Sequence, residues 1–241
     1  MVKVIFRTLI VTVVLCGFIG QATADILLYD HNTGNHNAKA ALDSLSLSYT
    51  VASSGTFNSL LAGGDWDLVV VDCPGGTPGN WSPLIDYVNN NGRAIMSFWE
   101  LQNEPALADA FDVSVNASFD SPQNIYRWDT GHSIFNNPNP VGDLTSWDNG
   151  SWADDGDRLA LVPLSDAQAL AGFTVSSNAG EAAIVLGNSG RTLYDGFLFD
   201  QLSNPVATNL IANEIAYLVP EPATMCLLGL GGLMLRRRKK A

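Results

Sequence analysis

One six-residue run, Asp67-Leu68-Val69-Val70-Val71-Asp72, constrains the fold more than any other part of this 241-residue chain. Its four consecutive apolar residues leave no polar face for solvent. Such a strand must be covered on both sides, as the strands of a parallel sheet are. Two further runs share the character: Asp25-Ile26-Leu27-Leu28-Tyr29-Asp30 before it, and Ala94-Ile95-Met96-Ser97-Phe98-Trp99 after it. Between them lie helix patterns over Asn37–Leu45 and Pro83–Asn90, the second ended by Asn91-Gly92, with a short helical turn at Phe57–Leu61. Ser48–Ala52 reads as a second strand and Pro105–Phe111 as a further helix. Strand, helix, strand with short connections calls for right-handed crossovers, hence a mostly parallel sheet with helices on both faces.

Beyond Asp112 the pattern is less regular. Val113–Phe119 reads as a strand, whereas 121–157 is rich in Asn, Asp, Gly and Pro and carries scattered aromatic residues, as a long surface excursion would. Strand runs return at Arg158–Val162, Ala182–Leu186 and Arg191–Tyr194, and a helix closes the domain over Ala207–Leu218. On that helix Leu210, Ile211, Glu214, Ile215 and Leu218 share one face, with Glu214 the exception in an apolar stripe.

The two ends of the chain read as addresses. Lys3 and Arg7, the apolar stretch Leu9–Ile19 and the small residues Ala22-Thr23-Ala24 have the order of a secretory signal peptide cut before Asp25. At the other end Pro220-Glu221-Pro222 precedes an apolar segment over 223–235 and the cations Arg236, Arg237, Arg238, Lys239 and Lys240. The thirteen apolar-segment residues fall short of the roughly 17–25 of an ordinary spanning helix, and the cations fix their own end in the cytoplasm. This ordered combination resembles the PEP-CTERM sorting signal of Gram-negative bacteria. The resemblance implies signal peptidase and exosortase as processing partners and anchoring in the inner membrane. The protein is then expected at the cell surface or outside the cell. Three regions follow: a signal peptide at 1–24, an exported domain at 25–218 and a sorting signal at 219–241.

Without its ends the chain changes charge character. Residues 25–220 hold five Lys and Arg against 23 Asp and Glu, a formal charge of −18. Such a surface repels nucleic acid and anionic headgroups and leaves divalent cations, neutral sugars and basic partners as compatible ligands. Cys16 and Cys226 belong to the ends, so Cys73 alone remains and no intramolecular disulfide is available. Stability must come from a core.

A second resemblance rests on Asp67–Asp72, on Gly92-Arg93-Ala94-Ile95, and on Gly190-Arg191-Thr192-Leu193-Tyr194-Asp195-Gly196-Phe197 before the last helix. These look like the class I glutamine amidotransferase-like fold, a flavodoxin-like architecture, in its non-catalytic versions. Catalytic members of that superfamily place a Cys, with glycines close by, in the turn after a central strand, and a His and Glu near the C-terminus. Here the matching strand ends Ser97-Phe98-Trp99-Glu100, and no His follows His132. The resemblance therefore implies the fold without the glutamine-hydrolysing residues.

Ligands of open α/β sheets collect at the carboxyl ends of the strands, and here those ends carry Asp30-His31, Asp72-Cys73 and Trp99-Glu100. Convergence of Asp30, Asp72 and Glu100 would either raise one pKa or invite a hard divalent cation; the plain alternative is that they cap neighbouring loops. Cys73 with His31 is the candidate nucleophile pair, against a small buried strand-end cysteine. Asp154, Asp155 and Asp157 are dense enough for calcium, though without EF-hand spacing. Trp128, Trp147 and Trp152 are candidates for a sugar-stacking platform, or covers for the sheet edge. No organic cofactor is expected, and calcium is an ion compatible with the Asp-rich segment. Three functions remain open: a structural or ligand-binding surface or matrix component in contact with exopolysaccharide, a hydrolase using Cys73, His31 or a metal, and a carbohydrate-binding module.

Overall fold

The computed structural model describes residues 24–151 and 156–219. The signal peptide, Pro220-Glu221-Pro222, the apolar segment and the basic tail thus lie outside the described residues. Among those that are described, no helix is long and apolar enough to cross a membrane.

The first half alternates as its sequence demands. β1 (Ile26–Asp30), α1 (Asn37–Ser44), β2 (Tyr49–Ala52), α2 (Phe57–Gly63), β3 (Leu68–Cys73), α3 (Ser82–Asn89) and β4 (Ala94–Phe98) follow one another. A 3-10 turn at Leu101–Asn103 leads to α4 (Pro105–Ala110). Helix α3 starts with Pro83 in its first turn and is left through Asn91 in the left-handed region, φ 69°. Gly92 follows because a Cβ there would stand 2.4 Å from the Tyr87 ring.

The second half contains β5 (Val113–Asp120), β6 (Tyr126–Arg127), a 3-10 turn at Ser133–Phe135, β7 (Asp157–Pro163), β8 (Gln168–Gly172), β9 (Ala182–Gly187) and β10 (Thr192–Asp195). It closes with a 3-10 turn at Phe199–Gln201 and α5 (Val206–Leu218). The ten strands form one sheet in the order β2-β1-β3-β4-β10-β9-β7-β5, with β8 added to β9 and β6 to β8. From β2 to β10 neighbouring strands are parallel; beyond β10 the pairs are antiparallel, because β8, β9 and β10 are joined by connections too short for a crossover. The parallel α/β sheet expected from the first half is therefore extended by an antiparallel half.

Strand alternation sorts the core into two layers. Leu28, Val70, Ile95 and Leu193 meet α1 and α5 on one face. Leu27, Val69, Val71, Met96 and Tyr194 meet α2, α3 and α4 on the other. The reading of 121–157 as a surface excursion needs correction. Ile125, Ile134, Phe135, Val141 and Leu144 are buried in the α1/α5 layer, and Ile125 pairs with Leu144 through two backbone hydrogen bonds of 2.9 Å. Their irregular spacing gives neither a helical nor a strand period, which is why the segment looks like loop in sequence.

Candidate functional site

Three strands carry an aspartate at or next to their carboxyl end, all on the same face of the sheet. Asp30 of β1 is in register with Asp72 of β3, Asp72 with Ser97 of β4, and Ser97 with Asp195 of β10. This puts a polar row across four adjacent strands, on the α1/α5 side and at the carboxyl ends where ligands of such sheets collect.

At the outer end of the row, Asp30 is tied by its own loop. Its Oδ1 accepts from the Asn32 amide at 3.1 Å and from the Asn32 side chain at 3.0 Å, and its Oδ2 faces His36 Nδ1 at 2.8 Å. Asp72 lies behind it, fully buried, with neither oxygen in a hydrogen bond of full geometry among the described residues. The Asn32 side chain and the Ala38 amide in the first turn of α1 are near enough to favour its charged form. Burial, with the Asp30 and Asp200 charges beside it, outweighs them and holds the carboxyl well above the ordinary Asp range.

The third acid is Asp200, from the 3-10 turn before α5. It too is buried, with one oxygen unpartnered among the described residues and the other accepting from the Ser151 amide. Burial raises its pKa, the Ser151 amide and hydroxyl oppose that rise, and the Asp30 charge adds to it. The loop that supplies Ser151 approaches so closely that a Cβ on Gly150 would lie 2.7 Å from the Asp200 carboxyl. Ser151 Oγ accepts from the Thr33 amide at 3.0 Å and donates to Asn32 Oδ1 at 3.4 Å. Asn35 donates to the Asp200 carbonyl and Asn37 to the Phe199 carbonyl. Three separate loops are thus knitted over a nest of carboxyl groups.

At the inner end, Asp195 and Glu214 of α5 are both buried and within reach of a side-chain hydrogen bond to each other. Burial drives both carboxyls well above their ordinary range. Glu214 is raised further by the Asp195 charge.

Glu100 does not join this nest. Strand alternation ends at Phe98, the chain turns away, and the charge of Glu100 bears on Cys73 instead. Asp200 takes the place expected for Glu100, and burial, with the Asp30 and Asp200 charges beside it, raises the pKa of Asp72. Among the described residues, no three His, Cys, Asp or Glu side chains are arrayed to hold a metal ion. Of the expected calcium acids, Asp154 and Asp155 lie outside the described residues. Asp157 starts β7 and accepts from Gln201 at 3.5 Å.

Cys73 points into the opposite layer, where its thiol donates to the Gly76 carbonyl at 2.9 Å. Burial and the Asp72 charge push that thiol up, the reverse of what a nucleophile needs. His31 packs its ring against Gly76, where a Cβ would come within 2.6 Å of it, and its buried Nδ1 has no partner among the described residues. The two side chains form no catalytic dyad, because Gly76 takes the thiol hydrogen bond that His31 would have to make.

The tryptophans are built into the fold. Trp128 donates to the Thr174 carbonyl at 2.8 Å and lies on Gly172, where a Cβ would stand 2.1 Å from the ring. Trp147 packs on Phe197 and carries the Arg158 guanidinium 3.9 Å from its ring centroid. Both cover the sheet, and neither is a free platform; Trp152 lies outside the described residues.

Asp200, Asp195, Ser151 and Asn32 escaped notice in the sequence. For Asp195 a signal existed: in β10 an Asp follows Leu193-Tyr194, as Asp30 and Asp72 follow the apolar runs of β1 and β3. For Asp200 none did, since its neighbours Phe199 and Gln201 have no periodic context.

Comparison with known proteins bears on both the tail and the fold. Residues 218–239 match the PEP-CTERM protein-sorting motif. Comparison with curated proteins gives no match. Among solved structures, the chain is similar to a GMP synthase component from Thermoplasma acidophilum. The identity is 15%, 81% of this chain and 94% of the other are covered, and the TM-score is 0.53. It also matches a glutamine amidotransferase from Methylobacillus flagellatus at 10% identity and TM-score 0.48, over 82% of this chain and 93% of that one. The domain has a glutamine amidotransferase-like fold, and the motif implies export, anchoring through the C-terminus and sorting by exosortase.

Proposed function

We propose that this protein is released by exosortase to the cell surface or the extracellular matrix, where its α/β domain serves as a structural or ligand-binding component that performs no turnover. One observation carries the reading: the turn after β4, where catalytic members of the resembled superfamily carry their cysteine, is Trp99-Glu100, while the lone cysteine of the exported domain sits at the end of β3 with its thiol buried. The charge of −18 supports a role among neutral polysaccharides or basic partners, since it repels anionic surfaces.

The test uses the protein recovered from a Gram-negative host that carries the sorting protease, assayed for glutamine hydrolysis and titrated with the host's exopolysaccharide by thermal shift. The expected result is no hydrolysis and a saturable rise in Tm, because a ligand that prefers the native state stabilises it. Hydrolysis that disappears in Cys73→Ala or His31→Ala would overturn the reading.

A further inference from the structure

Helix α5 covers the central strands with Ala207, Leu210, Ile211, Ala212, Ile215 and Leu218, all buried. In the middle of that apolar contact stands Glu214, against Asp195 of β10. Neither has any exposure worth the name, at 0% and 1%, and among the described residues no group donates to any of their four oxygens. Two carboxylates in such a place cannot both be charged, whereas one proton between them supplies the missing donor and turns repulsion into a hydrogen bond.

The other charged and titratable groups near this contact do not relieve it. Lys39 and Asp43 on α1, which packs against α5, are exposed. His132, beside the Ser133–Phe135 turn, stacks on Tyr217 at 5.0 Å. On β4 the Ser97 hydroxyl donates to the Phe197 carbonyl at 2.8 Å, and the Arg158 guanidinium goes to Gln201 and the Trp147 ring. Asp72, one strand beyond Ser97, is a further carboxyl and supplies no cation.

We infer that Asp195 and Glu214 form a pH-responsive clamp that pins α5 to the sheet in acid and releases it as the medium turns alkaline. The proton is held while the helix is docked. Once α5 lifts, both carboxyls meet water, regain ordinary acidity and lose that proton to the solvent. Opening is then coupled to the release of one proton and becomes about tenfold more favourable for each pH unit above the ordinary carboxylate range. The element so controlled is the one that runs into the sorting motif, which begins at Leu218.

Amide hydrogen exchange on the full chain in a mild non-ionic detergent, between pH 5 and pH 8 and corrected for intrinsic chemistry, reads this directly. In the wild type, the opening constant of 206–218 should rise with pH by up to about tenfold per unit, and at pH 8 the segment should exchange faster than β3. In Asp195→Asn/Glu214→Gln, which keeps the shapes and removes both titrations, the dependence should vanish. The inference is overturned by a flat profile in the wild type, by an unchanged slope in the double variant, or by α5 and β3 exchanging alike at every pH. Carboxyl carbon NMR of the wild type stands independently of whether the variant folds. A shared proton at pH 6 supports the clamp, and two ionised carboxylates at that pH refute it.

Discussion

Replacing Asp72 by Asn should make the domain more stable at neutral pH and change how its stability depends on pH. Asp72 is fully buried beside Asp30 and Asp200, and its folded-state pKa is raised. For an acid shifted in that direction, nothing is lost below the unfolded pKa, near 3.9, where both states are protonated. As pH rises above it, the unfolded chain gives up a proton that the native state still holds, and stability falls until the folded pKa is passed. The slope is about 1.4 kcal/mol per pH unit for one retained proton, which for a domain of this size is roughly 3–5 °C in Tm. Asp72→Asn preserves the shape, removes this titration and adds an amide donor facing two carboxylates. From the unfolded pKa up to the folded one, the variant should therefore gain up to about 1.4 kcal/mol per pH unit relative to the wild type. Differential scanning calorimetry of both proteins at half-unit intervals supplies the comparison. Parallel curves for the two, or a wild type whose Tm climbs from pH 4 to pH 7, would refute the reasoning.

Three further outcomes follow from the packing. The Cys73 thiol should resist iodoacetamide in the native state and react once denaturant is added, as read by peptide mapping; native labelling at the rate of a free thiol would contradict its burial. Gly172→Ala places a Cβ 2.3 Å from the Glu181 carbonyl as well as against Trp128, and should lower stability by about 1–3 kcal/mol in urea denaturation; an unchanged midpoint would show that β8 can shift. Trp147→Ala removes the cover over Phe197 and the ring under Arg158, at a cost of about 2–3 kcal/mol. An unaltered Tm would mean that the ring faces solvent and would reopen the sugar-platform reading.

What the sequence discloses is governed by period and parity. The runs at Ile26–Asp30, Leu68–Cys73 and Ala94–Phe98 have lengths and compositions that only buried strands satisfy, so the parallel half of the sheet is legible with errors of a residue or so at its ends. β8 is a different matter: Gln168-Ala169-Leu170-Ala171-Gly172 has little β-propensity and is a strand because it pairs with β9. Asp30 and Asp72 were legible as strand-end acids because each stops an apolar run. Glu100 was misplaced by one assumption, that the strand continues to it; parity had already brought Ser97 into the row and turned the following residues elsewhere. Asp200 and Ser151 come from loops that close on β1 only in three dimensions, and local pattern carries no trace of that. Glu214 did stand out, as one acid in an apolar stripe, although its partner Asp195 could be found only by seeing β10 beside β4.

The central claim, an exported domain sorted through its tail, is tested most directly by the intact mass of the protein recovered from a host with exosortase and from the same host without it. The account predicts that the exosortase host yields a chain that starts at Asp25 and lacks Arg236 to Lys240, and that the other host retains them at the membrane. Finding the basic tail on the protein from both hosts would contradict it.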